Sequence, residues 1–215
     1  MVTFKPLAFS SKDYAFRRRE LIALLKEDSI AILPGAVSQI RNSDVHYRFR
    51  QNSDFLYLTG FEESDAVLAL VPGRQHGQTI LFCQERDDIR DRWHGDITGP
   101  EAAIECLGLD DAFPIADIDD ILPGLIEGRS SLYYPMGHDV RFDNQIIDWV
   151  KMISANGQKY RTPSVEFIQL DQFLHELRLH KSDAELKLMR QAARATCQGH
   201  LRILRFTRPG MMEYE

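Results

Sequence analysis

A chain of 215 residues with 44% hydrophobic and 27% charged side chains is composed like an ordinary globular protein, long enough for one sizeable domain or one domain and part of another. Its 26 basic against 32 acidic residues leave a net charge of about −6, which disfavours nonspecific nucleic-acid binding, because that affinity comes mainly from neutralising phosphates. Cys83, Cys106 and Cys197 are far apart and form no CxxC pair, which excludes a zinc ribbon and a disulfide framework and points to reduced thiols in a cytoplasmic protein.

From the N-terminus, MVTFKPLAFSSKD has no apolar stretch of signal-peptide length. SKDYAFRRRELIALLKED (11–28) predicts an amphipathic helix capped by Ser10 or Ser11. SIAIL (29–33), stopped by Pro34-Gly35, predicts a buried strand. AVLALV (66–71) and TILFC (79–83) flank a turn-rich PGRQHGQ and predict a β-hairpin with a longer loop; the first is also the longest aliphatic run and far too short to span a bilayer. GPEAAIECLG (99–108) has Pro at the first helical position and Gly just past the end. DIDDILPGLIEG (117–128) predicts a broken helix, SLYYP (131–135) a strand, and FDNQIIDWVKMIS (142–154) a helix offering Ile146, Ile147, Trp149 and Val150 to a core. Strands alternating with helices argue an α/β domain with helices on both faces of its sheet. The last predicted helix, 181–206, opens on a Ser182/Glu185 capping box, worth about 1 kcal/mol, and carries Met189, Ala193, Cys197, Leu201 and Leu204 as one apolar stripe in need of a partner.

Chemistry is sparse. No P-loop, GxGxxG or Gly-x-Ser-x-Gly elbow is present, and none of the seven histidines has the i, i+4 partner of a zinc helix. His175 and His180 fall on either side of an expected helix boundary and read as structural or surface residues. Asp117, Asp119 and Asp120 cluster as a hard cation would want, but lack the Gly and later Glu of an EF-hand loop, so a solvated helix start is the better reading. In HYRFRQNSDFLYLTGF (46–61), arginines interleave with aromatics as on a base-stacking platform. The acidic balance of the chain favours another reading: Tyr47 and Phe49 on a core-facing strand, then a helical turn capped by Asn52 or Ser53 and ended by Gly60. Trp93, in RDDIRDRWHGD (86–96), is either pinned on an apolar face or presented to a ligand or partner subunit.

The stretch YRFRQNSDFLYLTGFEESDAVLAL (47–70) resembles the N-terminal domain of aminopeptidase P, the Xaa-Pro aminopeptidase family, whose signature reads Tyr-Arg-Gln-Asn-Ser-Asp-Phe-x-Tyr-x-Thr-Gly-Phe. Phe49 stands at the first Tyr position, and Arg50 to Phe55, Tyr57, Thr59, Gly60 and Phe61 match. HELRLHKSDAELKLMRQA (175–192) is similar to the linker that opens that family's catalytic domain, and RPGMMEY (208–214) to the turn into that domain's second helix. Asp183 and Met212 depart from the family's frequent Pro and Ser/Thr.

The resemblance implies a three-layer α/β/α domain over 1–175, with a mixed sheet of about six strands, then a long C-terminal linker helix over 176–215 at the start of a pita-bread catalytic domain. Two Asp, one His and two Glu of that catalytic domain would hold two manganese ions, which generate the attacking hydroxide and stabilise the oxyanion. The family places all five ligands after Glu215, so this chain is expected to stop short of them, to hold no metal and to be inactive alone. The further implications are a homo-oligomer, peptide substrates with proline at position two, and substrate contacts from Trp93 of a neighbouring subunit and from Asp44 at the active-site rim. A basic residue, Lys159 or Arg161, joins them. The competing expectations are an Xaa-Pro dipeptidase, a naturally truncated scaffold or peptide-binding module, and, more distantly, an RNA-binding protein.

Overall fold

The computed structural model describes residues 9–87, 95, 97–156 and 165–215. It divides into two units, Met1–Leu177 and Arg178–Glu215. Within the first, α1 (Ser11–Leu24) leads into β1 (Ser29–Pro34), followed by β2 (Ile40–Asn42), β3 (Val45–His46) and α2 (Ser53–Thr59). Next come β4 (Val67–Leu70), β5 (Thr79–Cys83), α3 (Pro100–Leu107) and β6 (Asp111–Pro114). A 3-10 turn at Ile115–Asp117 runs into α4 (Ile118–Ile126), then β7 (Ser131–Tyr134), α5 (Val140–Asn156), β8 (Glu166–Gln169) and α6 (Asp171–Leu179).

Six strands form one mixed sheet in the order β6-β5-β4-β1-β7-β8. β4 runs antiparallel to both β1 and β5, with Val67 opposite Phe82 and Leu70 opposite Thr79 in the expected hairpin. The β5/β6, β1/β7 and β7/β8 pairs are parallel. The central strands are unbroken apolar runs because both faces are covered. Ala31, Leu33, Leu68, Leu70 and Leu81 pack with Leu21 of α1, Phe55 and Leu58 of α2, Leu107 of α3 and Leu174 of α6. Their neighbours Ile30, Ile32, Val67, Ala69, Ile80 and Phe82 point the other way, onto Ile118, Leu122 and Ile126 of α4 and Ile146 and Trp149 of α5. Burial of each such side chain contributes roughly 1.5–3 kcal/mol. The α/β class, the mixed six-stranded sheet and the helices on both faces agree with the reading of the sequence.

Three local expectations are corrected. α1 stops at Leu24 rather than residue 28, because the chain must turn to enter β1 at Ser29, whose hydroxyl donates to the Lys26 carbonyl at 2.6 Å. The segment around Pro123 is one continuous helix: the proline removes one backbone donor, but Ile118, Leu122, Pro123 and Ile126 are all buried, and that burial outweighs one lost bond. Tyr47 and Phe49 lie on no core-facing strand. β3 ends at His46 and pairs with β2 in a separate two-stranded sheet, with Tyr47 58% exposed, because among the described residues no layer stacks on that ribbon.

In the second unit, α7 (Asp183–Phe206) begins with the expected capping box. The Ser182 hydroxyl accepts from the Glu185 N–H at 3.3 Å, and the Glu185 carboxylate accepts from the Ser182 N–H at 2.8 Å. None of the residues of α7 is buried, the stripe of Met189, Ala193, Cys197, Leu201 and Leu204 included. His175 lies inside α6 and His180 just beyond its end. Among the described residues no helix is long and apolar enough to cross a membrane.

Candidate functional site

β2 and β3 make an arm. The chain leaves β1 at Pro34, turns over at Ser43-Asp44 and returns to Gln51 before α2. Ile40 pairs with His46 and Asn42 with Val45, across an irregularity in register. The Tyr47 N–H donates to the Gln39 carbonyl at 2.9 Å, and the Ser38 hydroxyl lies 3.0 Å from the His46 ring nitrogen Nδ1. At the tip Ser43 takes a positive φ of 49°, which closes the turn and puts Asp44 at the far end. Every residue from 39 to 48 is exposed, so the arm gains little from burial, and Asp44 is exposed to solvent at its tip.

The root of the arm is built differently. Gln51 is 6% exposed. Its Oε1 accepts from the N–H groups of Ala36 at 2.6 Å and Asn52 at 2.9 Å, while its Nε2 donates to the carbonyls of Phe61 at 3.2 Å and Glu63 at 2.7 Å. Asn52 caps α2, its side-chain oxygen accepting from the N–H groups of Asp54 and Phe55. Gly60 ends that helix at φ 70°, a conformation that suits glycine. Thr59 donates to the Phe55 carbonyl at 2.8 Å and accepts from the Phe61 N–H at 3.0 Å, and Phe55 and Phe61 are buried. The densest motif of the sequence is therefore the scaffold under the arm, each of these residues tied to a backbone or core task.

Two arginines of α1 hold α2 from the other side. The guanidinium of Arg17 lies over the Tyr57 ring, 4.3 Å from its centroid, and donates to the Tyr57 carbonyl at 3.0 Å. Arg18, 1% exposed, donates to Leu58 at the end of α2 and to Leu107 and Gly108 at the end of α3. Burial pulls the Arg18 pKa down to about 10, against the pull of Asp110, so it is charged at neutral pH. Sequence reading missed Gln51, Arg17 and Arg18 as organising residues; the available signal was a run of three arginines inside an otherwise amphipathic helix.

Of the sequence-derived site residues, Asp44 stands at the arm's tip, and Trp93, Lys159 and Arg161 lie outside the described residues. Asp119 acts structurally, its Oδ1 accepting from Trp149 Nε1 at 3.0 Å and from Gln145 Nε2 at 2.8 Å, so that α4 is tied to α5. Among the described residues no group of three or more His, Cys, Asp or Glu is placed to hold a metal ion.

A family model described as the aminopeptidase P N-terminal domain matches residues 14–133. The Xaa-Pro aminopeptidase of Escherichia coli K12 is 32% identical over 206 residues, 95% of this chain and 47% of that protein. The solved aminopeptidase PepP of Pseudomonas aeruginosa superposes with a TM-score of 0.93 at 49% identity, over 97% of this chain and 47% of that one. Aminopeptidase P from E. coli, solved with the inhibitor Pro-Leu, superposes with a TM-score of 0.88 at 32% identity, over 96% of this chain and 47% of its own. The chain thus spans about half the length of these relatives.

Proposed function

This chain belongs to the aminopeptidase P N-terminal domain family, and on that premise we propose that it is the non-catalytic, substrate-gating portion of an Xaa-Pro aminopeptidase, which releases the residue ahead of a proline at position two. The observation that carries this reading is the arm: ten consecutive exposed residues, 39 to 48, with a carboxylate at the tip and a buried root. A limb that stays exposed among the described residues of its domain is suited to border a site supplied by another part of the protein. Asp44 brings a negative charge to that rim, and Trp93 of a neighbouring subunit brings an aromatic wall. Lys159 or Arg161 adds a cation. The working form is a cytoplasmic homo-oligomer. The pair of manganese ions belongs to the catalytic domain, and no residue of this chain takes a step in the hydrolysis.

The test compares this chain with the longer protein from its natural reading frame on a tripeptide with proline second. The longer protein cleaves it in the presence of manganese, and the chain alone does not. An exposed charge contact is worth up to about 1 kcal/mol, so Asp44→Ala in the longer enzyme raises KM by about fivefold and leaves kcat nearly unchanged. Metal-dependent cleavage by the chain alone, or an unchanged KM in the variant, overturns the proposal.

A further inference from the structure

Because residues 39 to 48 are all exposed, the direction of the arm is decided where it joins the sheet. The outgoing side is held by backbone bonds to the β4 approach: the Gly35 N–H donates to the Ala66 carbonyl at 2.7 Å, and the Asp65 N–H donates to the Ala36 carbonyl at 3.2 Å. The returning side meets the outgoing side at Gln51. That single amide bridges Ala36, where the arm starts, to Asn52, where α2 starts, and to Phe61 and Glu63, which follow α2. Two donors converge on its oxygen and two carbonyls on its nitrogen, so all four positions of the side chain are filled and its orientation is determined. Gly35 leaves the room for it. A Cβ there would stand 3.0 Å from Gln51 Oε1, 3.2 Å from Nε2 and 3.1 Å from the Ala66 carbonyl.

We infer that Gln51 is a positioning residue: its buried amide sets the direction of the β2–β3 arm and thereby the place of Asp44. The inference rests on the rim role proposed above for Asp44. Leverage is the reason one amide matters. Seven residues of extended chain reach about 23 Å, so a rotation of about 10° at the root carries the tip through about 4 Å, more than a hydrogen-bond length. Among the described residues no cover of packed side chains resists that rotation, and the root bonds do.

The test has two readouts. In this chain, Gln51→Met removes all four bonds at similar volume, and Gln51→Glu keeps the acceptor but sets a carboxylate against two carbonyls. Both speed amide hydrogen exchange across 38–50 by about tenfold while β1 and β4 keep their protection. In the longer enzyme both raise KM for the tripeptide by about fivefold, as Asp44→Ala does, with kcat within about twofold. The Asp44→Ala/Gln51→Met double variant has the KM of either single variant, because both act through one carboxylate. A merely structural glutamine would lower stability without this split and would multiply with Asp44→Ala, and that result overturns the inference. If Asp44→Ala leaves KM unchanged, the rim reading fails; exchange then decides alone, and unchanged exchange across 38–50 overturns the inference as well. Should Gln51→Met not fold, Gly35→Ala, which presses on the intact amide, is expected to give the same exchange increase, and no increase counts against Gln51.

Discussion

Arg18 donates through Nη2 to the carbonyl of Leu107, 2.9 Å away and 89 positions along the chain. The same guanidinium reaches Gly108 at 2.7 Å and, through Nη1, Leu58 at 2.9 Å. One buried cation therefore closes the C-terminal ends of two helices, where carbonyls lack intrahelical donors and positive charge is favoured. Arg18→Leu leaves those three carbonyls, two of them in buried contacts, without this donor and is expected to cost about 3–5 kcal/mol in urea denaturation. Arg18→Lys recovers only part, since a single ammonium cannot reproduce the planar fork. A loss below about 1 kcal/mol for Arg18→Leu would show that water takes over the carbonyls.

Asp110 gives the fold an acid limit. Burial pushes its carboxyl up, but its Oδ2 accepts from the Thr79 hydroxyl at 2.7 Å and the N–H groups of Gln78 at 2.8 Å and Thr79 at 2.9 Å. With Arg18 nearby, the balance leaves it below the usual carboxylate range. A carboxyl lowered on folding stabilises fully above its unfolded value and loses that contribution as pH falls through the folded one. Asp110→Asn is therefore less stable than the parent at pH 7, and the gap closes below about pH 4. Urea midpoints from pH 7 to pH 3 check this, and a gap that stays constant counts against it.

The three thiols separate by burial. Cys83 is buried on β5, and burial, with Glu63 and Glu101 adding to it, pushes its thiol up to about 12. Cys106, half-buried on α3, is raised for the same first reason, with Glu105 adding to it, and Cys197 on α7 is exposed. Alkylation of the native chain at pH 8, followed by mass spectrometry, is expected to modify Cys197 first, Cys106 more slowly and Cys83 only on unfolding. Rapid modification of Cys83 would contradict the packing of β5.

Much of the fold was legible because its signals are local. The apolar runs SIAIL, AVLALV, TILFC and SLYY became central strands, the Pro/Gly asymmetry of 99–108 became α3, and Ser182 with Glu185 became a capping box. What was missed lies at edges. β6 and β8 are the outer strands of the sheet, and DAFP and EFIQ carry too much polarity to look like the buried interior. α6, a nine-residue helix that follows β8, overlaps the stretch from 175 that reads in the sequence as a linker. The aromatics of 47–49 were given a core that the ribbon does not have, since alternation predicts burial only when another layer stacks on the strand.

By itself, then, the sequence determined the class of fold, the family through its 47–70 signature, and the ends of α2 and α3 and the start of α7, because these depend on residue order within a few turns or on a motif read as a string. Only the tertiary structure decided what the signature is for. Gln51 matters through Ala36, Phe61 and Glu63, and Arg18 through Leu58, Leu107 and Gly108, partners 10 to 90 positions away that no local pattern announces. A polar side chain in a string looks solvated; it becomes structural when the fold dries it and surrounds it with backbone groups that have no other partner.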